Sequence, residues 1–130
     1  MTNKPTRRRP ASPDIETRRR HALRRLGSDH PSCHLCGHDD PCALELHHLA
    51  GRTSDDQIVP VCRNCHAALS DAQLDHPPLK PGGERDLEKI GRLLLGLADF
   101  FLQLAARLKK FGALLIDLAH SLILRREGQQ

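Results

Sequence analysis

The chain contains neither tryptophan nor tyrosine, and it has only three phenylalanines and one methionine among 130 residues. This scarcity excludes a large aromatic core, and small domains with little apolar area are often stabilised by a bound metal. No apolar run follows the N-terminal arginines, so no signal peptide is predicted, and no uninterrupted apolar stretch is long enough to span a bilayer. We therefore expect a cytoplasmic protein in a reducing compartment.

The cysteines that are present have a spacing typical of metal sites. Cys33 and Cys36 form one Cys-x-x-Cys pair, and Cys62 and Cys65 form a second. Gaps of two residues let the backbone fold around one tetrahedral ion, and in a reducing compartment this spacing favours zinc over disulfides. The four thiolates are predicted to bind one structural Zn²⁺. Cys42 is expected to be a small thiol that is at least partly buried.

Positive charge is concentrated near the N-terminus of the chain, whose net charge is +4. A disordered basic arm is predicted at residues 1–11 and a basic helix segment at residues 12–31, in which the helix has Ser12 as its N-cap and Pro13 at its first position and ends near Gly27. The candidate nucleic-acid-binding side chains of this helix are Arg18, Arg19, Arg20, Arg24 and Arg25. Arginines clustered in this way favour contact with phosphates, and the alternative is a solvated basic surface.

The remaining chain divides into a core at residues 32–76, a Pro/Gly linker at 77–84 and a Leu/Ala-rich helix at 85–127. In the last segment polar residues recur at nearly seven-residue intervals, and the remaining apolar face is too wide for an isolated helix in water. We expect this helix to form a homo-oligomer as a coiled coil or bundle. The alternatives are a hairpin that breaks near Gly112 and docking on a membrane surface or a partner helix.

Several polar motifs lie between and beside the cysteine pairs. They are Glu45-Leu46-His47-His48, then Gln57-Ile58-Val59-Pro60-Val61, then Cys62-Arg63-Asn64-Cys65-His66. In order and spacing, residues 33–66 resemble the HNH endonuclease family, whose core is a ββα-metal finger. The resemblance implies an α+β fold: a small zinc-stabilised ββα-metal core between an N-terminal basic helix and a long C-terminal apolar helix.

The resemblance also implies roles for individual residues. His48 matches the general base, and His47 and His66 match the ligands of a catalytic divalent metal such as Mg²⁺, Mn²⁺, Ni²⁺ or Zn²⁺. Gln57 stands where the family usually has an asparagine that orients the loop bearing the base. Either Gln57 takes this role with its longer side chain, or Asp55 or Asp56 does so, or the loop is poorly oriented and activity is low. Arg52 is a candidate phosphate contact.

Glu45 is either a carboxylate that orients His47 or a solvated strand residue.

The activity that the resemblance implies is hydrolysis of DNA phosphodiester bonds that leaves 5′-phosphate and 3′-hydroxyl ends. The alternative is a non-catalytic zinc-binding module for nucleic acid or protein.

The chemistry of these residue types fits that activity. A neutral imidazole with a pKa near 6.5 can accept a proton from water at physiological pH. Consecutive residues of a strand point to opposite faces, so His47 can hold an ion while His48 addresses the water. His66 follows Cys65 directly, so we expect the zinc site to fix the backbone that presents it.

Overall fold

The computed structural model of the chain describes residues 10–52 and 57–128. Within these residues the fold is a small mixed α/β arrangement with one two-stranded antiparallel sheet and three α-helices. A single 3-10 turn, Pro41–Ala43, precedes the first strand. The elements in chain order are α1 (Ile15–Leu26), β1 (Leu44–His48), β2 (Ile58–Cys62), α2 (Arg63–Gln73) and α3 (Arg85–Glu127).

Helix α1 begins later than the sequence suggested. Its N-cap is Asp14, whose carboxylate accepts a hydrogen bond from the Thr17 N–H at 2.7 Å, so the prediction of Ser12 as N-cap was wrong. A carboxylate both accepts the free N–H groups and interacts favourably with the positive end of the helix dipole. The last residue of the helix is Leu26, and its C-cap is Gly27 with a left-handed φ of 67°, which confirms the predicted end near Gly27. The helix occupies only part of the predicted segment 12–31. Residues 1–9 of the predicted basic arm lie outside the described residues.

Strands β1 and β2 form a hairpin that carries the His47-His48 pair at the end of its first strand. Leu44 pairs with Cys62 and His48 pairs with Ile58. The backbone N–H of Leu49 donates to the Gln57 carbonyl at 3.0 Å and closes the ladder. Residues 53–56 of the connecting loop, including the aspartates at 55 and 56, lie outside the described residues.

The core lies between the hairpin, α2 and the Cys33–Cys36 turn. Leu44, Val61, Cys65 and Leu69 are completely buried. Cys33 and Cys62 belong to the same buried cluster. The cysteine site is therefore part of the hydrophobic core, as expected for a small domain whose apolar area is limited.

Helix α3 packs on this core through its N-terminal part, as far as Arg107. Phe100 and Leu104 contact the buried cluster. Gly96 is buried against the backbone of Leu49, where an added Cβ would overlap the Leu49 carbonyl. From Leu108 to residue 128 every side chain is exposed.

The second half of α3 projects from the domain as a continuous helix. It is helical through Gly112, so the hairpin alternative with a break at this residue was wrong. Among the helices of residues 10–52 and 57–128, none combines the length and the apolar character that a bilayer span requires.

The backbone contact at Gly96 predicts opposite effects for the same substitution at two glycines of α3. Gly91 has no neighbouring atom within 4 Å of an added Cβ. Gly91→Ala should raise the free energy of unfolding by about 0.5–1 kcal/mol, because alanine loses less backbone entropy in a helix. Gly96→Ala should lower it by about 1–3 kcal/mol, because the methyl group forces α3 away from Leu49. Urea denaturation of both variants measures this difference, and an equal stabilisation by both would contradict the contact.

Candidate metal centre and histidine cluster

The four paired cysteines converge on one point. The Sγ atoms of Cys33, Cys36, Cys62 and Cys65 all lie within 4.8 Å of one another. The Sγ atoms of Cys36 and Cys62 are 3.7 Å apart. A tetrahedral zinc with bonds of about 2.3 Å to sulfur separates its ligands by about 3.8 Å, so the spacing fits this ion. The cluster could therefore hold a metal such as zinc, as the two Cys-x-x-Cys pairs predict.

The first cysteine pair is presented by a tight turn. The Gly37 N–H donates to the Cys33 carbonyl at 2.8 Å, and the Cys33 N–H donates to the His38 carbonyl at 2.7 Å. Gly37 has a φ of 77°, a conformation that glycine adopts without steric cost. The His34 N–H donates to the Pro60 carbonyl at 3.0 Å and joins the turn to β2. This bond places Cys33 and Cys36 opposite the second pair.

The second cysteine pair lies at the junction of β2 and α2. Cys62 is the N-cap of α2, and Cys65 lies in its first turn. Unpaired N–H groups at a helix N-terminus favour negative charge nearby, so this junction suits thiolate ligands. His66 follows on the same turn, which means that the position of the cysteines determines the position of this histidine.

The protonation of these thiols differs from one to the next. Burial by itself raises the pKa of Cys33. Hydrogen bonds from backbone N–H groups, above all from that of Cys62, outweigh the effect of burial and lower the pKa to about 7. Burial raises the pKa of Cys65, and the neighbouring thiols raise it further. A metal ion or another positive charge must therefore be present if all four are to be thiolates.

Arg107 of α3 supplies one such charge. Its Nη2 donates to Cys65 Sγ at 3.0 Å. Sequence reasoning missed this residue, because it lies 42 positions away from the cysteine on a segment with no cysteine or histidine ligand motif. A guanidinium beside the thiolates also attaches α3 to the cysteine site.

A histidine cluster lies directly beside the cysteines. The ring centroids of His47 and His66 are 5.2 Å apart in an edge-to-face arrangement. Glu45 approaches His66, with 3.2 Å between Oε2 and Nδ1, and its other oxygen lies 3.6 Å from Arg63 Nε. The histidine that Glu45 contacts is thus His66, which neither of the two alternatives for Glu45, orientation of His47 or a solvated strand residue, included.

His47 is buried, with only 3% of its surface exposed. Burial lowers its pKa to about 4, with further lowering by the nearby His66 and His48, while Asp99 acts in the opposite direction. At neutral pH the imidazole is therefore uncharged, and a ring nitrogen has a free lone pair. Such a nitrogen is able to ligate a metal.

Gln73, at the end of α2, fixes the chain around His47. Its Nε2 donates to the carbonyls of His48 at 2.9 Å and Leu49 at 3.1 Å. The same nitrogen lies 3.3 Å from His47 Nε2. Because an amide nitrogen has two hydrogens and both are directed at carbonyls, the histidine contact is the weakest of the three.

A second pair, His76 and Asp99, joins α3 to the end of α2. His76 Nε2 and Asp99 Oδ2 are 2.7 Å apart and both side chains are largely buried. The sequence indicated no partner for His76, since Asp99 is 23 residues away on another helix. Sequence reasoning also missed Gln73, and in both cases the signal is a tertiary contact that local spacing does not reveal.

The remaining predicted site residues lie on β1, on the connecting loop and on α1. His48 is partly buried and follows His47 on β1, while Gln57 and Arg52 lie in the exposed ends of the connecting loop. On α1, Arg18, Arg19, Arg20 and Arg24 are exposed. Arg25 differs from them because its Nη2 donates to the Leu44 carbonyl at 2.8 Å, so it attaches α1 to the hairpin.

Comparison of the chain with protein-family models, with curated proteins and with solved structures gives no match.

The cysteine cluster predicts that the folded chain depends on one bound zinc. Structural zinc contributes on the order of 10 kcal/mol to folding, so Cys36→Ser or chelation should abolish cooperative thermal unfolding of the core. Cys42→Ser is the matched control, because Cys42 lies outside the cluster. Elemental analysis should find one zinc per chain in the wild type and the control and a loss of zinc in Cys36→Ser. Equal zinc content in all three proteins would contradict the site.

Proposed function

We propose that the chain is a metal-dependent endonuclease of the HNH type, with a ββα-metal core that hydrolyses DNA phosphodiester bonds. The observation that carries the proposal is the approach of His47 and His66 to 5.2 Å between ring centroids, beside the four cysteines. Two imidazoles from different elements meet there, one from β1 and one from the first turn of α2. This arrangement suits a metal held by few protein ligands, which leaves positions for water and phosphate oxygens.

The chain's own residues would divide the work as follows. His47 and His66 hold the divalent ion, and Glu45 orients His66 through its Nδ1. His48 accepts the proton of the attacking water, because an imidazole can be neutral at physiological pH and the neighbouring strand position aims it away from His47. A divalent ion held by these two histidines would supply Lewis-acid chemistry for the phosphate and the departing 3′ oxygen.

Two further residues have proposed roles at the hairpin end. The carbonyl of Gln57 accepts the Leu49 N–H and so fixes the chain one residue beyond His48. In this proposal the longer side chain of Gln57 replaces the asparagine that orients the loop in HNH enzymes. Arg52 is exposed on the same loop and is proposed to contact a phosphate of the DNA.

The DNA-binding surface is proposed to be α1. Its exposed arginines lie on a helix that Arg25 attaches to β1, so the basic surface has a fixed position relative to the histidines. A groove between α1 and the turn before β1 is lined by Arg18, Arg19 and Arg25 together with Arg63 of α2. Arginines contact phosphates without reading sequence, so we expect affinity that is largely independent of sequence.

The catalytic proposal predicts loss of cleavage in His48→Ala. Supercoiled plasmid is incubated with zinc-loaded protein and Mg²⁺, Mn²⁺ or Ni²⁺. Removal of a general base should lower the rate by about 10²–10⁴-fold. His120→Ala is the control, because His120 lies on the exposed half of α3, and it should cleave like the wild type.

The same assay separates the proposed enzyme from the non-catalytic alternative. Cleavage by the wild type that is unchanged in His48→Ala, or no cleavage by any protein, would contradict the enzyme. If the wild type binds DNA without cleaving it under any of the three metals, the chain is a zinc-binding module. Metal-dependent cleavage that is lost only in His48→Ala supports the endonuclease.

The proposed DNA surface predicts a change in salt dependence. Removing Arg20 and Arg24 together should reduce the slope of log affinity against log salt by roughly one for each phosphate that the variant no longer binds. The double variant Arg125→Ala and Arg126→Ala removes the same charge from the end of α3, far from α1, and should leave the slope unchanged. Fluorescence anisotropy with a DNA duplex at several salt concentrations measures both slopes. Equal reductions would show that only net charge matters, which would contradict a surface on α1.

A further inference from the structure

The face of α3 that points away from the domain has a regular alternation of residue size. Between Leu87 and Leu122 large and small apolar residues alternate at spacings of four and three. We call this set the outer stripe. It consists of Leu87, Gly91, Leu94, Ala98, Phe101, Ala105, Leu108, Gly112, Leu115, Ala119 and Leu122.

Every residue of the outer stripe is exposed. The helix packs on the domain through a different face, which includes Gly96, Asp99, Phe100 and Arg107. At about 100° per residue these residues lie on roughly the opposite side from Ala98 and Phe101. The intramolecular fold therefore uses the more polar face of α3 and leaves the apolar face uncovered.

Most of the residues that flank the outer stripe are also apolar. The exposed ones are Ile90, Leu95, Leu102, Phe111, Ile116, Leu118 and Ile123, and the charged residues at flanking positions are Glu88 and Arg125 near the two ends and Lys109 between them. An apolar patch along a helix of this length exceeds the roughly 300–600 Å² that is typical of the largest patch on a monomer. Such a face requires a partner.

We propose that the partner is a second copy of this chain, and that the two α3 helices pack in antiparallel orientation along their outer stripes. The four-and-three spacing is that of a coiled-coil seam. We consider an antiparallel pair in which residue 103 of one helix lies opposite residue 103 of the other. In this register each layer of the seam joins one large residue to one small residue. Phe101 then faces Ala105 of the second copy, Ala98 faces Leu108, and Leu94 faces Gly112.

Size complementarity selects this orientation over a parallel one. In the antiparallel register all layers have similar volume, so the helix axes can keep one separation along the whole seam. In a parallel, in-register pair, Phe101 would face Phe101 and Ala105 would face Ala105. Thick and thin layers would then alternate and leave voids at the alanines and glycines.

The area of the stripe matches what a stable dimer needs. The large stripe residues are 48–70% exposed in the single chain. Together with the flanking side chains, a pair of such helices would bury on the order of 1,500 Å² in total, which is a standard specific interface. This pairing is independent of the proposed nuclease activity, and it would place two domains on the outer sides of one helical pair.

A size swap tests the proposal. Ala98→Leu makes the face more apolar, yet it should weaken dimerisation because a leucine then meets Leu108 of the second copy. Leu108→Ala should also weaken it, because two alanines meet and leave a cavity. The double variant restores one leucine and one alanine to this layer and should recover wild-type affinity. Each single change should raise the dimer dissociation constant at least about tenfold, and the double variant should lie within about threefold of the wild type.

The measurement is analytical ultracentrifugation of the full, zinc-loaded chain, with circular dichroism to verify helix content. Ala113→Leu is the matched control, since Ala113 is exposed on α3 but outside the outer stripe, and it should leave the dissociation constant unchanged. A monomeric wild type, including one that binds lipid vesicles or another protein instead, would overturn the proposal. Tighter association of Ala98→Leu would overturn it as well, because general hydrophobicity and not size complementarity would then determine pairing.

Discussion

The convergence of four sulfur atoms within 4.8 Å is the constraint on which the rest of the domain depends. The cysteines come from a turn before β1 and from the junction of β2 with α2, so one ion in their midst would join every part of the small core. Three of them, Cys33, Cys62 and Cys65, are also buried in the core of a chain without tryptophan or tyrosine. Metal binding and hydrophobic burial therefore stabilise the same contacts, and neither would suffice alone in a domain of this size.

The histidine cluster depends on that constraint through a single helical turn. Cys62 and Cys65 fix the start of α2, and His66 follows on the next residue. Gln73 then joins the other end of α2 to the carbonyls of His48 and Leu49. Both ends of the helix are thus attached to the hairpin, which holds the two strand histidines and the helix histidine in one rigid unit.

Much of this core could be predicted from the sequence because its signals are local. The Cys-x-x-Cys gaps indicated the metal centre, and the strands and α2 follow from short apolar runs and their junctions. The contacts of α3 could not be predicted in this way. Asp99 meets His76, Arg107 meets Cys65, and Gly96 meets Leu49, and each pair is separated by more than 20 residues with no pattern that links them. The contact of Glu45 with His66 could not be predicted either, since strand alternation does not reveal which helix residue lies beside a strand side chain.

The attachment of α3 has a mechanical consequence. Its contacts with the rest of the chain run from Arg92, whose Nη2 donates to the Pro77 carbonyl at 3.0 Å, to Arg107, about 23 Å of helix. The exposed part beyond Leu108 extends about 30 Å, so the free part of the helix is longer than the anchored part. Within the anchored part the backbone of Gly96 bears directly on Leu49, the residue that follows His48. With no side chain between the two backbones to yield, the angle of the projecting helix and the position of the strand end cannot change independently.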